Sequence, residues 1–346
     1  MTMQTDLTRR SVVRSSRVQG VSLHSRMLGA RETGVFLAFM VMCAFLAITT
    51  DSFLTLGNLL NVGRQVSLLG IMAIGMTFVL ISGEIDLSIG STYALSGLGA
   101  GMLLTSGWAL MPAIAAGLAL GMLVGLVNGL LSTYGRLPSL IATLGMMSVI
   151  RGIALLMTNG EPVTVNVRNG ADPGVLETFL ALGQGKMADL VPMQLVFFLL
   201  AAAIGWVLLS RTSFGFRIFA VGGSPKAARV SGIDVYAVKI WAFVVMGLLA
   251  ALAGILSMAF LPSGQAGRTG IGLELDVIAA VVVGGASLAG GSGSILGTVL
   301  GVLIIGVLRN GLVLSGVSPF TQEVMIGLVI IVAVAIDRWS VRSARG

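Results

Sequence analysis

Histidine and cysteine each occur once in this 346-residue chain, and charged residues make up only 10% of it. A lone histidine is a poor basis for a Ser-His-Asp centre, and one His with one Cys cannot supply the ligands of a zinc site. Cys43 lies inside an apolar stretch and has no second cysteine to pair with, and His24 sits in a basic N-terminal segment where water can solvate it. The phosphate-cradling pattern G-x-x-x-x-G-K-[ST] is missing too, since the Gly185-Lys186 pair is followed by Met187. P-loop ATP hydrolysis, zinc chemistry and triad catalysis are therefore not expected, and the chain is read as a non-enzyme.

The scarcity of charge excludes still more. Soluble domains carry about 25% charged residues, so a water-exposed surface of this size cannot be built from so few. Hydrophobic residues reach 56%, glycine occurs 48 times, and the mean hydropathy is +1.00. These values place the chain in a membrane. The net charge of +7 is then read as a record of orientation rather than as a sign of nucleic-acid binding.

A spanning helix needs about 20 mostly apolar residues. Ten spans can be read, near 34–50, 66–82, 92–106, 109–131, 138–157, 191–209, 237–260, 275–289, 294–313 and 320–336. The basic leader before the first is long for a signal peptide and lacks a small-residue cleavage site, so Arg9-Arg10 is read as part of a cytoplasmic anchor. Spans 92–106 and 275–289 are short and Gly-interrupted, as helices broken inside a protein are. Thr55–Gln65 reads as a separate interfacial helix. The expected fold is an all-α polytopic membrane protein.

With the N-terminus placed in the cytoplasm, alternation puts fifteen Lys and Arg inside and four outside (Arg64, Arg168, Lys186 and Arg268). Both termini are thus expected to be cytoplasmic, with 1–32 a basic segment, 33–337 the membrane domain and 338–346 a tail. Residues 158–190 form an external loop and 210–235 a cytoplasmic one. Trp108, Tyr134, Tyr236 and Trp339 fall near span ends, where interfacial aromatics gather.

Two Gly/Ser-rich breaks, Gly83–Ser91 and Gly285–Ser292, follow the second and eighth spans. They read either as traces of a duplicated helix pair or as independent turns. Glu84 and Asp86 interrupt the first break. They lie at the mouth of a pathway, or they cap the helix that starts near Ser88. Arg151 and Arg309 fall within spans, where each can snorkel or pair with a carboxylate. Glu274, Asp276 and Glu323 suit helix N-termini. Every carboxylate lies near a span end or in a loop, which argues against ion coupling and puts the energy source in another subunit.

In the cytoplasmic loop, Ser224 reads as an N-cap, Pro225 as the first helical residue and Gly232 as the stop. The result is a short helix, Pro225–Ser231, that a soluble partner could push. Ala227 and Ala228 are small enough for close approach, and Lys226 and Arg229 can pair with acidic groups at a groove rim.

On these residues the chain resembles the membrane permease subunit of bacterial ABC importers of the ribose/xylose/arabinose type. The matching stretches are Gly70–Ser91, Leu137–Met147 with Arg151-Gly152, Phe214–Ile233 and Leu275–Gly297, within a resemblance running from about Gly34 to Asp337. Glu84 departs from the pattern, since many members have glycine there. The resemblance implies two permease copies, or two related permeases, with two ATP-binding subunits below them. A periplasmic or lipid-anchored binding protein would deliver a pentose, a hexose or a related polyol. No cofactor is expected on this chain, ATP-Mg being used by the partner. Residues 223–232, with Gly223 at their start, are the expected coupling element. Glu84, Asp86, Ser88, Asn128, Thr143 and Gln265 are the pathway candidates. The competing readings are an ion-coupled secondary carrier for a small neutral solute and a membrane-embedded enzyme or assembly protein.

Overall fold

A computed structural model describes residues 20–343. The Arg9-Arg10 pair lies outside the described residues, as do the side chains of His24, of the other N-terminal arginines, of Trp339 and of the C-terminal arginines. The helices are α1 (Gly20–Thr49), α2 (Leu56–Ile81), α3 (Ile89–Thr105), α4 (Leu110–Thr133), α5 (Ser139–Thr158), α6 (Pro173–Gln184), α7 (Met193–Arg211), α8 (Ser213–Gly223), α9 (Pro225–Val230), α10 (Val235–Phe260), α11 (Leu273–Val283), α12 (Ile295–Leu314) and α13 (Pro319–Ser343). A 3-10 turn at Val167–Asn169 and two minimal antiparallel pairings complete the described fold. β1 (Val163–Thr164) joins β4 (Ser263–Gly264), and β2 (Lys186–Met187) joins β3 (Val191–Pro192).

Seven of the described helices are long and apolar enough to cross a membrane: α2, α4, α5, α7, α10, α12 and the Glu32–Thr49 part of α1. α3, α11 and α13 occupy the remaining three expected spans. The protein is an all-α polytopic membrane protein. α11 has 11 residues, so at 1.5 Å per residue it covers only about half of a ~30 Å hydrocarbon core. It stops at Val283 rather than near 289, because Gly284 and the positive-φ Gly285 (φ 96°) turn the chain out of the helix.

Thr55–Gln65 is not a separate helix. Thr55 caps a continuous α2, its hydroxyl accepting from Asn58 N–H at 3.4 Å. The polar residues that suggest an interface find partners on other elements or nearby. Asn58 and Asn310 exchange two amide hydrogen bonds (3.0 and 2.8 Å), and Arg64 donates to Asn61 at 2.6 Å while lying 4.4 Å from the Phe260 ring centre. Two further helices, α6 and α8, were not expected, and neither was the continuation of α1 back to Gly20.

α2 and α10 form the centre, with Ile71, Met72, Met76, Phe78 and Phe243 fully buried. α10 packs on α2, α3 and α4 along a seam of glycines. A Cβ on Gly247 would collide with the Gly121 carbonyl, and one on Gly97 would lie 2.6 Å from the Gly254 carbonyl oxygen. Helices associate in lipid through such close approach, since burial away from water cannot drive it there.

The loops gather at two ends of the bundle. At one, here the α9 end, the breaks 82–88 and 284–294 meet, and Gly291 N–H donates to the Ile81 carbonyl at 2.8 Å. At the other, the α6 end, β1 pairs with β4 and Gln184 donates to the Phe260 carbonyl at 2.9 Å.

Gly247→Val tests the seam. Overpacking of about 1–3 kcal/mol or more is expected, read as a lower thermal midpoint and poorer recovery of detergent-purified chain than for Gly145→Val, whose Cβ would meet nothing within 4 Å.

Candidate functional site

The break between α2 and α3 is extended backbone held from three sides. Ile85 N–H donates to Ser139 Oγ (3.2 Å) and Leu87 N–H to Thr143 Oγ1 (3.1 Å), so α5 supplies acceptors that no helix ladder offers here. Asp86 is 2% exposed, and its Oδ1 accepts from Ser88 N–H (2.8 Å) and Ser88 Oγ–H (2.7 Å). Asn128 on α4 donates to Asp86 Oδ2 at 3.3 Å and to Ser88 Oγ at 2.8 Å. The carboxylate therefore lies just ahead of α3, where the helix dipole is positive. Burial raises the Asp86 carboxyl above its ordinary range, with the hydrogen bonds from Ser88 and Asn128 acting in the opposite sense.

Glu84 forms an ion pair with Lys239 at the start of α10. Five of the six pathway candidates, Glu84, Asp86, Ser88, Asn128 and Thr143, thus belong to one cluster at the α9 end. Gln265 does not join them. It lies at the α6 end in the loop between α10 and α11, its N–H donating to Thr269 Oγ1 at 3.1 Å. Arg151 reaches that same loop, donating to the Ala266 and Thr269 carbonyls at 2.7 and 2.5 Å. Arg309 takes the paired alternative, with Asp276 at 2.9 Å and Glu323 at 3.9 Å. Glu323 lies beyond the first turn of α13, so it acts through Arg309 rather than as an N-terminal charge.

The second element is the α8–α9 arm. Ser224 Oγ accepts from Ala227 N–H (3.3 Å), Pro225 occupies the first turn, and the chain leaves through Gly232 at φ 81°. α9 is thus Pro225–Val230, one residue shorter than expected. Gly223, Pro225, Lys226, Ala227, Arg229 and Gly232 are exposed, and Val230 is 90% exposed. Ala228 is the correction here. It is 4% exposed and packs into the chain's own core, so its small size serves the fold and leaves Ala227 and Val230 as the outward face. Arg229 lies 5.4 Å from the Tyr236 ring centre, and Tyr236 meets Tyr134 edge-on at 5.2 Å.

Lys239 and Gln194 were not foreseen. Lys239 stands near the start of a long apolar run, as a partner for a carboxylate would. Gln194 opens α7 and is completely buried. Among the described residues no group of His, Cys, Asp and Glu could hold a metal ion.

Asp86 generates a pH prediction. The folded chain holds the Asp86 proton more tightly than the unfolded chain, so this residue's contribution to stability declines as pH rises from the ordinary carboxylate value through the raised one. Asp86→Asn should flatten that decline in thermal-unfolding curves. Asp86→Ala should lower stability at every pH, by about 1–3 kcal/mol for each buried donor left unpaired, read as a lower thermal midpoint. An unchanged pH dependence in Asp86→Asn would show that this carboxyl does not titrate between the two states.

Comparison with known proteins adds the last observation. Residues 58–334 match the family described as branched-chain amino acid transport system / permease component. Ribose import permease protein RbsC of Bacillus subtilis is 44% identical over 308 residues, covering 89% of this chain and 93% of the relative. The Escherichia coli K12 protein of the same name is 42% identical, over 88% and 93%. The L-arabinose ABC transporter permease protein AraH of Azospirillum brasilense is 37% identical, over 89% and 88%. No solved structure gives a significant match. Identity of this order along nearly the whole length, on a bundle of membrane-crossing helices, shows that the chain belongs to the branched-chain amino acid transport system / permease component family.

Proposed function

We propose that this chain is the membrane-spanning subunit of an ATP-driven importer for a monosaccharide of the ribose or arabinose type. The observation that carries the proposal is the 44% identity to a ribose import permease across 89% of the chain. The family description names branched-chain amino acids, but the relatives of high coverage are named for ribose and arabinose, and the sugar reading follows them. In this reading the α9 end faces the cytoplasm, as the fifteen-to-four distribution of basic residues favours. Both termini are cytoplasmic. Two permease copies, or two related permeases, enclose the pathway, two ATP-binding subunits dock at the α9 end, and an extracytoplasmic binding protein delivers sugar at the α6 end. The missing P-loop pattern supports a division of labour in which this chain hydrolyses nothing.

α9 is the proposed docking element, residues 223–232 entering a groove of the ATP-binding partner. Both ends of the helix are held, so it can pass on a displacement without bending. Val230 offers an apolar knob, with Lys226 and Arg229 placed for acidic groups at the rim.

Transport in vesicles containing the chain and its partners tests the main reading. ATP-dependent uptake of ribose or arabinose is expected. Uptake driven by a sodium or proton gradient without ATP would replace the proposal with an ion-coupled carrier.

The docking helix makes a separate prediction. Val230→Asp should leave the fold intact, since the side chain is 90% exposed. It should weaken binding of the ATP-binding subunit by about 1–3 kcal/mol, a factor of roughly 5 to 150 in affinity, read as reduced co-purification. Undiminished co-purification and uptake in both Val230→Asp and Ala227→Glu would remove α9 from the interface.

A further inference from the structure

The ion pair of Glu84 and Lys239 ties α10 to the break between α2 and α3. The two side chains are only 12% and 18% exposed. A pair so shielded is not of the solvated surface kind that contributes little, and removing either partner leaves the other charge nearly buried and unpaired. The helix ends on both sides are satisfied without it. Glu84 N–H donates to the Val79 carbonyl at 3.1 Å, and Asp234 caps α10 by accepting from Tyr236 and Ala237 N–H, both at 3.0 Å.

On one side the pair meets the docking helix. Only residues 231–234 separate α9 from α10. That corner is closed by Ile233 N–H, which donates to the Ala228 carbonyl at 3.0 Å, and by Arg229 over the Tyr236 ring. Lys239 lies one turn into α10, so a shift of α9 carries Lys239 with it. On the other side the pair meets α5. Ile85 N–H donates to Ser139 Oγ, Leu87 N–H to Thr143 Oγ1, and Ser91 Oγ–H to the Met147 carbonyl at 2.9 Å. Ser139, Thr143 and Met147 are four residues apart and share one stripe of α5. Ile141 and Leu144, turned away from that stripe, are 63% and 42% exposed, an apolar face that this chain leaves open.

We propose that the Glu84–Lys239 pair is the link through which a displacement of α9 reaches α5, and that both are positioning residues that couple ATP use to solute passage. The inference deepens the importer reading and rests on it. The packed contact of Gly222 against the Ile81 carbonyl passes on a push and not a pull. An ion pair resists separation as well, and an importer must move its helices both ways in each cycle. Shielding adds to that resistance, since the attraction of two charges grows as the dielectric around them falls. Beyond the pair, the hydrogen bonds of Ile85, Leu87 and Ser91 continue the same chain of contacts to α5.

The test uses vesicles containing the complete transporter, with ATP hydrolysis and uptake of D-ribose or L-arabinose measured on the same preparation. The unaltered chain is compared with Glu84→Gln, Lys239→Met and the double variant. The double variant decides the matter, because it removes the ion pair without leaving a buried charge unpaired. Its complex should assemble with normal recovery and keep hydrolysing ATP, while uptake per ATP falls several-fold. Each single variant should lose about as much as the double, since the two residues act as one unit. A double variant with unaltered uptake per ATP would overturn the proposal, because any deficit of the single variants would then come from the unpaired charge. So would a parallel loss of hydrolysis and uptake, or failure of the double variant to assemble, since a merely structural pair gives those results. ATP-dependent uptake by the unaltered chain with no change in the double variant removes this link and leaves the importer reading standing. Absence of ATP-dependent uptake by the unaltered chain removes that reading, and the link falls with it.

Discussion

A peptide group that loses its partner inside a bilayer has no water to turn to, and each such group costs several kcal/mol. Much of this structure follows from that constraint. Where α2 ends at Ile81, the chain does not form a free loop. It runs extended through Glu84–Ser88 while Ser139, Thr143 and its own Asp86 accept from the N–H groups of Ile85, Leu87 and Ser88, and Asn128 donates to the side chains of Asp86 and Ser88. The second break is solved by contact with the first, Gly291 N–H satisfying the Ile81 carbonyl. The two interrupted helices thus meet as a pair, end against end.

Glycine makes this pairing possible. Gly222 on α8 approaches the same Ile81 carbonyl so closely that any Cβ would overlap it, and Gly290 and Gly291, at φ 84° and 75°, take backbone angles that a side chain would resist. The 48 glycines in the sequence thus have a structural distribution. Some allow α10 to lie against α4 and α3, and others allow α8 and the loop after α11 to converge on the carbonyl that ends α2.

The ten apolar runs were legible because lipid imposes length and composition directly on the residues. The shortness of α3 and α11 was legible for the same reason. Recognition of the helix cap at Ser224-Pro225 was equally direct, yet Asp172-Pro173 carries the same signal and opens α6, with Asp172 accepting from Gly174 and Val175 N–H at 2.9 and 3.0 Å. That helix lies inside the segment 158–190, which the sequence shows only as an external loop. The start of α2 was misread for a deeper reason. Asn58 and Arg64 suggest water, and the groups that accommodate them, Asn310 and Phe260, lie hundreds of positions away. Asp86 could be read as cap or pathway mouth, but its burial depends on Asn128, 42 residues on. Gln194 shows the limit most plainly. A glutamine beginning an apolar run is unremarkable in a sequence, and only three dimensions reveal that nothing answers its amide.

The short α11 and the junction at Ile81 have a mechanical consequence. An intact helix crossing the whole membrane behaves as a stiff rod, and a push on its side is shared along its length. Here the α8–α9 arm packs on the bundle through Phe214, Ile218, Val221 and Ala228, and its Gly222 lies against the very carbonyl where one rod stops and to which Gly291 donates. A torque applied at α9 would arrive at the end of a rod rather than along its side, next to α11, which is itself tied to α12 at its other end by Asp276 and Arg309.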